Sequence, residues 1–134
     1  MSCFLAVLVA VHSPGPPDLD GTWEVVSVEA KGLVLENHPY RGGTMRFGGG
    51  KLTIRGRDGV EELGFTLDAA ATPAAIDITD GREKRYPLKG IVRRDGETVQ
   101  VCVALPPYPL GRPAEFKSAA RNKSELWTLK RVGP

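Results

Sequence analysis

Three Asp-Gly turns constrain this chain more than any other feature: Asp58-Gly59, Asp80-Gly81 and Asp95-Gly96. Each stands beside short runs in which apolar and polar residues alternate. Asp-Gly between alternating runs is a strong hairpin signal, because both residues tolerate the positive φ that a tight turn needs. Lys51 to Arg55 puts Leu52 and Ile54 on one face. Glu62 to Asp68 does the same with Leu63, Phe65 and Leu67. Ile76 and Ile78 form a short run. Tyr86 to Arg93 carries Leu88 and Val92 on one side, and Thr98 to Leu105 carries Val99, Val101, Val103 and Leu105. Thr22 to Glu29, Thr44 to Gly48 and Glu125 to Val132 read as further strands. No stretch of about 12 residues or more keeps a helical period. The expected fold class is therefore all-β.

The chain has 134 residues, enough for one domain. Gly 16 and Pro 11 favour turns over long helices. Gly48-Gly49-Gly50 lacks the following Lys-Ser or Lys-Thr of a phosphate loop and reads as a turn. Eight short strands with tight turns point to a closed antiparallel barrel or a sandwich. Closure removes exposed edge strands, so we expect an eight-stranded antiparallel barrel in up-and-down order. At that size a barrel is filled by side chains or holds one small ligand. A short helical turn is expected between residues 32 and 42.

Residues 1–13, MSCFLAVLVAVHS, differ from the rest. Phe4 to Val11 is apolar throughout. It is shorter than the about 20 residues that span a bilayer and fits the core of a secretory signal. No Lys or Arg precedes it, which fits a start lying upstream or a weak signal. A buried N-terminal strand is the alternative. Pro14-Gly15-Pro16-Pro17 then breaks any helix, so residues 14–18 read as a linker and 19–134 as the folded domain. The expected location is secreted or periplasmic, and cytoplasmic if the leader does not work. Beyond the leader only Cys102 remains, and one cysteine forms no internal disulfide.

Several segments together resemble a known group. Leu19-Asp20-Gly21-Thr22-Trp23-Glu24-Val25-Val26, Lys51-Leu52-Thr53, Phe65-Thr66-Leu67-Asp68, Pro73-Ala74-Ala75-Ile76-Asp77, Lys89-Gly90-Ile91, Arg112-Pro113-Ala114-Glu115-Phe116 and Leu129-Lys130-Arg131 span most of residues 19 to 132. In order and spacing they resemble a family of small, uncharacterised secreted proteins of planctomycete bacteria with a lipocalin-like fold. Gly21-Thr22-Trp23 resembles the Gly-X-Trp signature that opens lipocalin barrels. The resemblance implies a lipocalin-like barrel in which Trp23 closes one end and a basic residue of the last strand, Arg131, packs on it. Arg131 shares strand parity with Trp127 and Leu129. The resemblance implies no biochemical activity. Leu33 to Gly43 and Pro106 to Leu110 depart from its pattern.

Candidate site residues are few. Trp23 is either a plug of the barrel floor or a platform on which a ligand stacks; Trp is often simply large core. Phe65 and Trp127 are candidate ligand contacts on the inward face. Arg112 and Phe116 lie in the long loop after Pro106-Pro107-Tyr108-Pro109, with Phe116 as a cap on one mouth and Arg112 paired with Glu115, or with the loop simply anchored, Phe116 buried and Glu115 satisfying backbone donors. His38 has no second His or Cys near it and reads as a solvated loop residue, so no metal is expected. Cys102 reads as a small residue packed on a strand. Asp77, Asp80 and Glu83 read as turn residues. Arg82, Lys84 and Arg85, and Arg93 with Arg94, read as solvated surface.

The net charge of +2 is far from the basic excess of a nucleic-acid binder. No nucleophile with a base, metal set or phosphate loop stands out, so the chain is read as non-enzymatic and without a cofactor. We expect a monomer that binds a small apolar ligand in or at the barrel. The alternative is a structural or protein-interaction module with a filled barrel acting through its loops.

Overall fold

β1 (Gly21–Ala30) sets the frame by bonding to three neighbours. It reverses at Lys31 and Gly32, whose φ of 53° and 75° make a tight left-handed turn. The two-residue β2 (Leu33–Val34) follows and pairs with the end of β1. This replaces the helical turn expected at 32–42. The strand ladder satisfies the backbone there, and residues 36–42 continue as successive turns. β3 (Thr44–Gly48) and β4 (Lys51–Gly56) meet across Gly49 and Gly50, with φ of 59° and 77°. β5 (Gly59–Asp68), β6 (Ala75–Thr79), β7 (Leu88–Asp95), β8 (Thr98–Ala104) and β9 (Ser124–Gly133) follow, each antiparallel to the strand before it.

β1 pairs with β3 through Gly21–Glu24 and with β9 along its length. The last pairing closes the sheet, so β1 and β3 to β9 make an eight-stranded, up-and-down antiparallel barrel, with β2 as one extra strand. A sandwich is thereby excluded. The computed structural model describes residues 17–79, 87–105, 111–118 and 123–133. The expected leader (1–13), the Asp80-Gly81 turn, the Arg82, Lys84 and Arg85 cluster and the Pro-rich run 106–110 lie outside the described residues.

Period-two alternation decides what lies inside. Met45 and Phe47, Leu52 and Ile54, Ile76 and Ile78, Val99, Val101 and Val103, and Trp127 and Leu129 are all buried in one cluster. β1 breaks its register between Val25 and Ser27. The bulge turns Val26 out and lets Trp23, Val25 and Val28 all face inward. Gly90 shows how full the interior is: a Cβ there would lie 2.7 Å from Cys102 O and 2.9 Å from Val103 Cγ1. Both tryptophans are buried, Trp23 completely. At about 200 Å² each and about 25 cal/mol per Å², each burial contributes about 5 kcal/mol as an upper bound.

A second apolar patch lies on the outer wall. Ile91, Cys102 and Leu126 are the outward residues of β7, β8 and β9, and Phe116 packs against them. Segment 111–118 thus crosses the outside of the barrel.

Candidate functional site

The strands sort their connections by length. At one end, the floor, β3–β4 and β7–β8 are joined by two residues each and β5–β6 by residues 69–74. At the other end, the mouth, lie residues 35–43, the short β4–β5 turn, and the strand ends Thr79, Leu88, Ala104 and Ser124. Long loops held on a rigid scaffold are the usual carriers of function.

Trp23 lies at the floor. Its indole Nε1 donates to Leu19 O at 2.9 Å, so the chain before β1 folds under the barrel. Two guanidiniums cover the ring: Arg94 Cζ at 5.2 Å and Arg131 Cζ at 5.7 Å from its centroid. Arg94 Nη1 also donates to Asp18 O at 2.7 Å. Trp23 and Arg131, expected to meet, do meet. Arg94, expected in solvent, joins them because it shares inward parity with Val92. That parity was readable in the sequence.

The mouth is covered by residues 35–43. Leu35 and Tyr40 pack against the interior cluster. Tyr40 stands edge-on to Trp127 at 5.9 Å and to His38 at 5.0 Å. Its hydroxyl donates to Glu61 Oε1 at 2.6 Å. Burial first, then the Glu61 hydrogen bond and the charges of Glu61 and Glu125, push this phenol well above its ordinary 10.0. Glu125 Oε1 accepts from Trp127 Nε1 at 3.1 Å and lies 3.7 Å from His38 Nε2. His38 Nδ1 accepts the Tyr40 N–H at 3.1 Å, the same two-residue loop closure that Asn and Asp side chains make. His38, expected in solvent, is only 14% exposed.

The loop is anchored by its backbone. Arg57 N–H donates to Pro39 O, and Arg57 Nη2 donates to Asn37 O, each at 2.9 Å. A Cβ at Gly56 would lie 2.6 Å from Pro39 O, so only glycine lets the loop come this close to β4. Between the loop and the β4–β5 hairpin a cleft of about 370 Å³ remains, lined by Pro39, Tyr40, Ile54, Asp58, Val60 and Glu61 among others.

The expected ligand contacts do not converge. Trp23 is at the floor, Trp127 is inside beneath Tyr40, and Phe65 is on the inner wall edge-on to Phe47 at 5.3 Å. Arg112 and Phe116 are outside the barrel, so Phe116 is not a cap on the mouth. The outward apolar patch of Ile91, Cys102 and Leu126 draws it to the wall, where Arg93 Cζ lies 4.2 Å above its ring. Nor does Arg112 pair with Glu115, which meets Lys117 at 3.4 Å instead. Arg112 Nη1 donates to Gly90 O at 2.9 Å and to Ile76 O at 3.1 Å. It also lies 2.7 Å from Asp77 Oδ1. Its hydrogens are directed at the two carbonyls, so Asp77 makes an ionic contact and no directed hydrogen bond. Ser118 Oγ accepts the Gly32 N–H at 2.7 Å and fastens the other end of the segment. Beneath it Cys102 is fully buried, and burial raises its thiol pKa.

Glu61 and Glu125 carried a faint signal, since they share parity with Leu63 and Trp127. Tyr40 and His38 carried none, because their contacts depend on a loop folding back over strands remote in sequence. No group of three or more His, Cys, Asp and Glu among the described residues is placed to hold a metal ion. Comparison with protein-family models, with curated proteins and with solved structures found no match for this chain.

Proposed function

We propose that this protein is a binding module in which the barrel is a filled scaffold and the mouth is the recognition surface. The observation that carries this reading is the interior itself. Side chains from all eight barrel strands form one cluster there, and Leu35 and Tyr40 pack onto it from the mouth loop. A ligand entering the barrel would have to displace Tyr40 or Trp127, at a cost comparable to emptying a core aromatic site, about 3–5 kcal/mol. This favours the second of the two readings made from the sequence, an interaction module acting through its loops, over an apolar ligand held inside. In this reading recognition proceeds without catalysis. The resemblance to small exported planctomycete proteins adds the proposal that the chain works outside the cytoplasm. No helix among the described residues is long and apolar enough to cross a membrane.

The test is a thermal-melt panel of fatty acids, a polyaromatic dye and a retinoid, read beside methyl spectra of Val101 and Ile76. The expected result is an unchanged melting temperature and unmoved interior methyls. A stoichiometric ligand at about 100 times its Kd would add about 2.7 kcal/mol. A rise of several degrees with shifted interior methyls would therefore overturn the filled-scaffold reading.

A further inference from the structure

The cleft between residues 35–43 and the β4–β5 hairpin has a chemistry of its own. We propose that it binds a small organic cation, a primary ammonium or guanidinium on a short aliphatic stem. The proposal rests on the mouth being the recognition surface and names what that surface recognises.

The cleft's about 370 Å³ lies within the range of small-molecule sites, about 300–1,000 Å³. Its lining combines an aromatic ring (Tyr40), apolar surface (Ile54, Pro39 and Val60) and two carboxylates (Glu61 and Asp58), and it includes no Lys or Arg. A ring face and a carboxylate are the two groups that favour a cation with an apolar stem. The Tyr40 hydroxyl occupies Glu61 Oε1 and so orients the carboxylate. Among the described residues it is the carboxylate's only hydrogen bond, which leaves Oε2 for a ligand. Arg57, in the β4–β5 turn beside Asp58, is already engaged. Arg57 donates to Asn37 O at 2.9 Å, and its Nε reaches Asp58 only at 3.9 Å.

The walls are set before any ligand arrives. The Arg57 N–H to Pro39 O bond and the close approach at Gly56 fix the loop against β4, so little ordering cost falls on binding. An anion would meet two carboxylates. A neutral molecule of the same shape would strip water from Glu61 without replacing it.

The test is an amide NMR titration of the full chain with butylammonium and butylguanidinium, set against butyramide and butyrate. Saturable shifts are expected at Tyr40, Gly56, Val60 and Glu61 with both cations, about tenfold weaker binding of butyramide, and none of butyrate. Glu61→Gln keeps the shape and an acceptor for Tyr40, and should weaken cation binding about tenfold; its melting curve verifies folding. Asp58→Asn, at the exposed rim, should weaken it less and more so at low salt. A short arginine peptide identifies the source of the cation. Binding tighter than butylguanidinium points to a partner's side chain, and equal binding points to a free amine. Equal affinity for cation and butyramide, or indifference to Glu61→Gln, would overturn the proposal. So would the absence of saturable shifts at the cleft, which would leave the filled scaffold untouched. Shifts at Val101 and Ile76 would instead sink the scaffold reading.

Discussion

Trp23 shows how much one side chain can hold. It fills the floor, bonds Leu19 O and carries two guanidiniums on its faces. Trp23→Ala is expected to cost about 3–5 kcal/mol in urea unfolding. Arg94→Ala should cost less, about 1–2 kcal/mol, since the ring contact and the Asp18 bond are at a partly solvated rim. A loss for Arg94→Ala as large as for Trp23→Ala would mean that the guanidinium, and not the indole, closes the floor. Tyr40 brings a pH dependence. Its folded pKa is raised above 10.0, so the stability it contributes is complete below that pH and is lost as pH rises beyond it. The difference in unfolding free energy between about pH 9 and about pH 11 should be larger for the native chain than for Tyr40→Phe. Equal losses would show that neither burial nor Glu61 raises the phenol pKa.

The strap, segment 111–118, acts at the scale of an element. Arg112 fastens it to the carbonyls of Ile76 and Gly90, Ser118 fastens it to Gly32, and Phe116 covers the outward apolar patch. Cys102 lies beneath. Arg112→Ala should raise the rate at which a thiol reagent labels Cys102 by about tenfold or more, with only a small change in melting temperature, because local opening exposes the thiol without unfolding the barrel. Unchanged labelling would mean that the strap stays in place without Arg112. The strands themselves were legible in the sequence to within a few residues, since alternation and the Gly-rich turns act locally. The strap was not. The sequence marked Arg112 and Phe116 as notable, but their partners lie 36 and 22 residues away for Arg112 alone. No local pattern encodes such pairings.

The whole molecule is a closed ring of hydrogen bonds, and the β1–β9 seam runs from Thr22 to Ala30 with register shifts only at Thr22/Trp23 and Val25/Ser27. Val28 O accepts from Leu35 N–H, so the neighbouring amides of Ser27 and Glu29 turn toward β9. Amide exchange should show these two as slow as those of the central strands. β2 has only one neighbour, and its Leu33 and Val34 are 66% and 51% exposed, so it should exchange fast. A seam that exchanges like β2 would mean that the barrel opens there. The filled interior makes Gly90→Ala informative at this scale. An added methyl has no space, and about 1–3 kcal/mol of overpacking is expected in urea unfolding. A neutral result would reveal slack in the core, and with it room for a guest.

The amino-acid order by itself determined the all-β class, the eight barrel strands and the inward face of those that alternate without a bulge. Those follow from a side-chain period of two and from glycines at left-handed turns, both properties of neighbours in the chain. It also placed Arg131 over Trp23, through a resemblance and a parity. Only the tertiary structure decided that residues 35–43 cover one end of the barrel. It also decided that Tyr40 and His38 fold over Trp127, and that Phe116 turns to the outer wall and not to the mouth. Each of these depends on closure. Until β1 meets β9 there is no inside, no outside and no mouth, and side chains remote in sequence have no surface on which to meet.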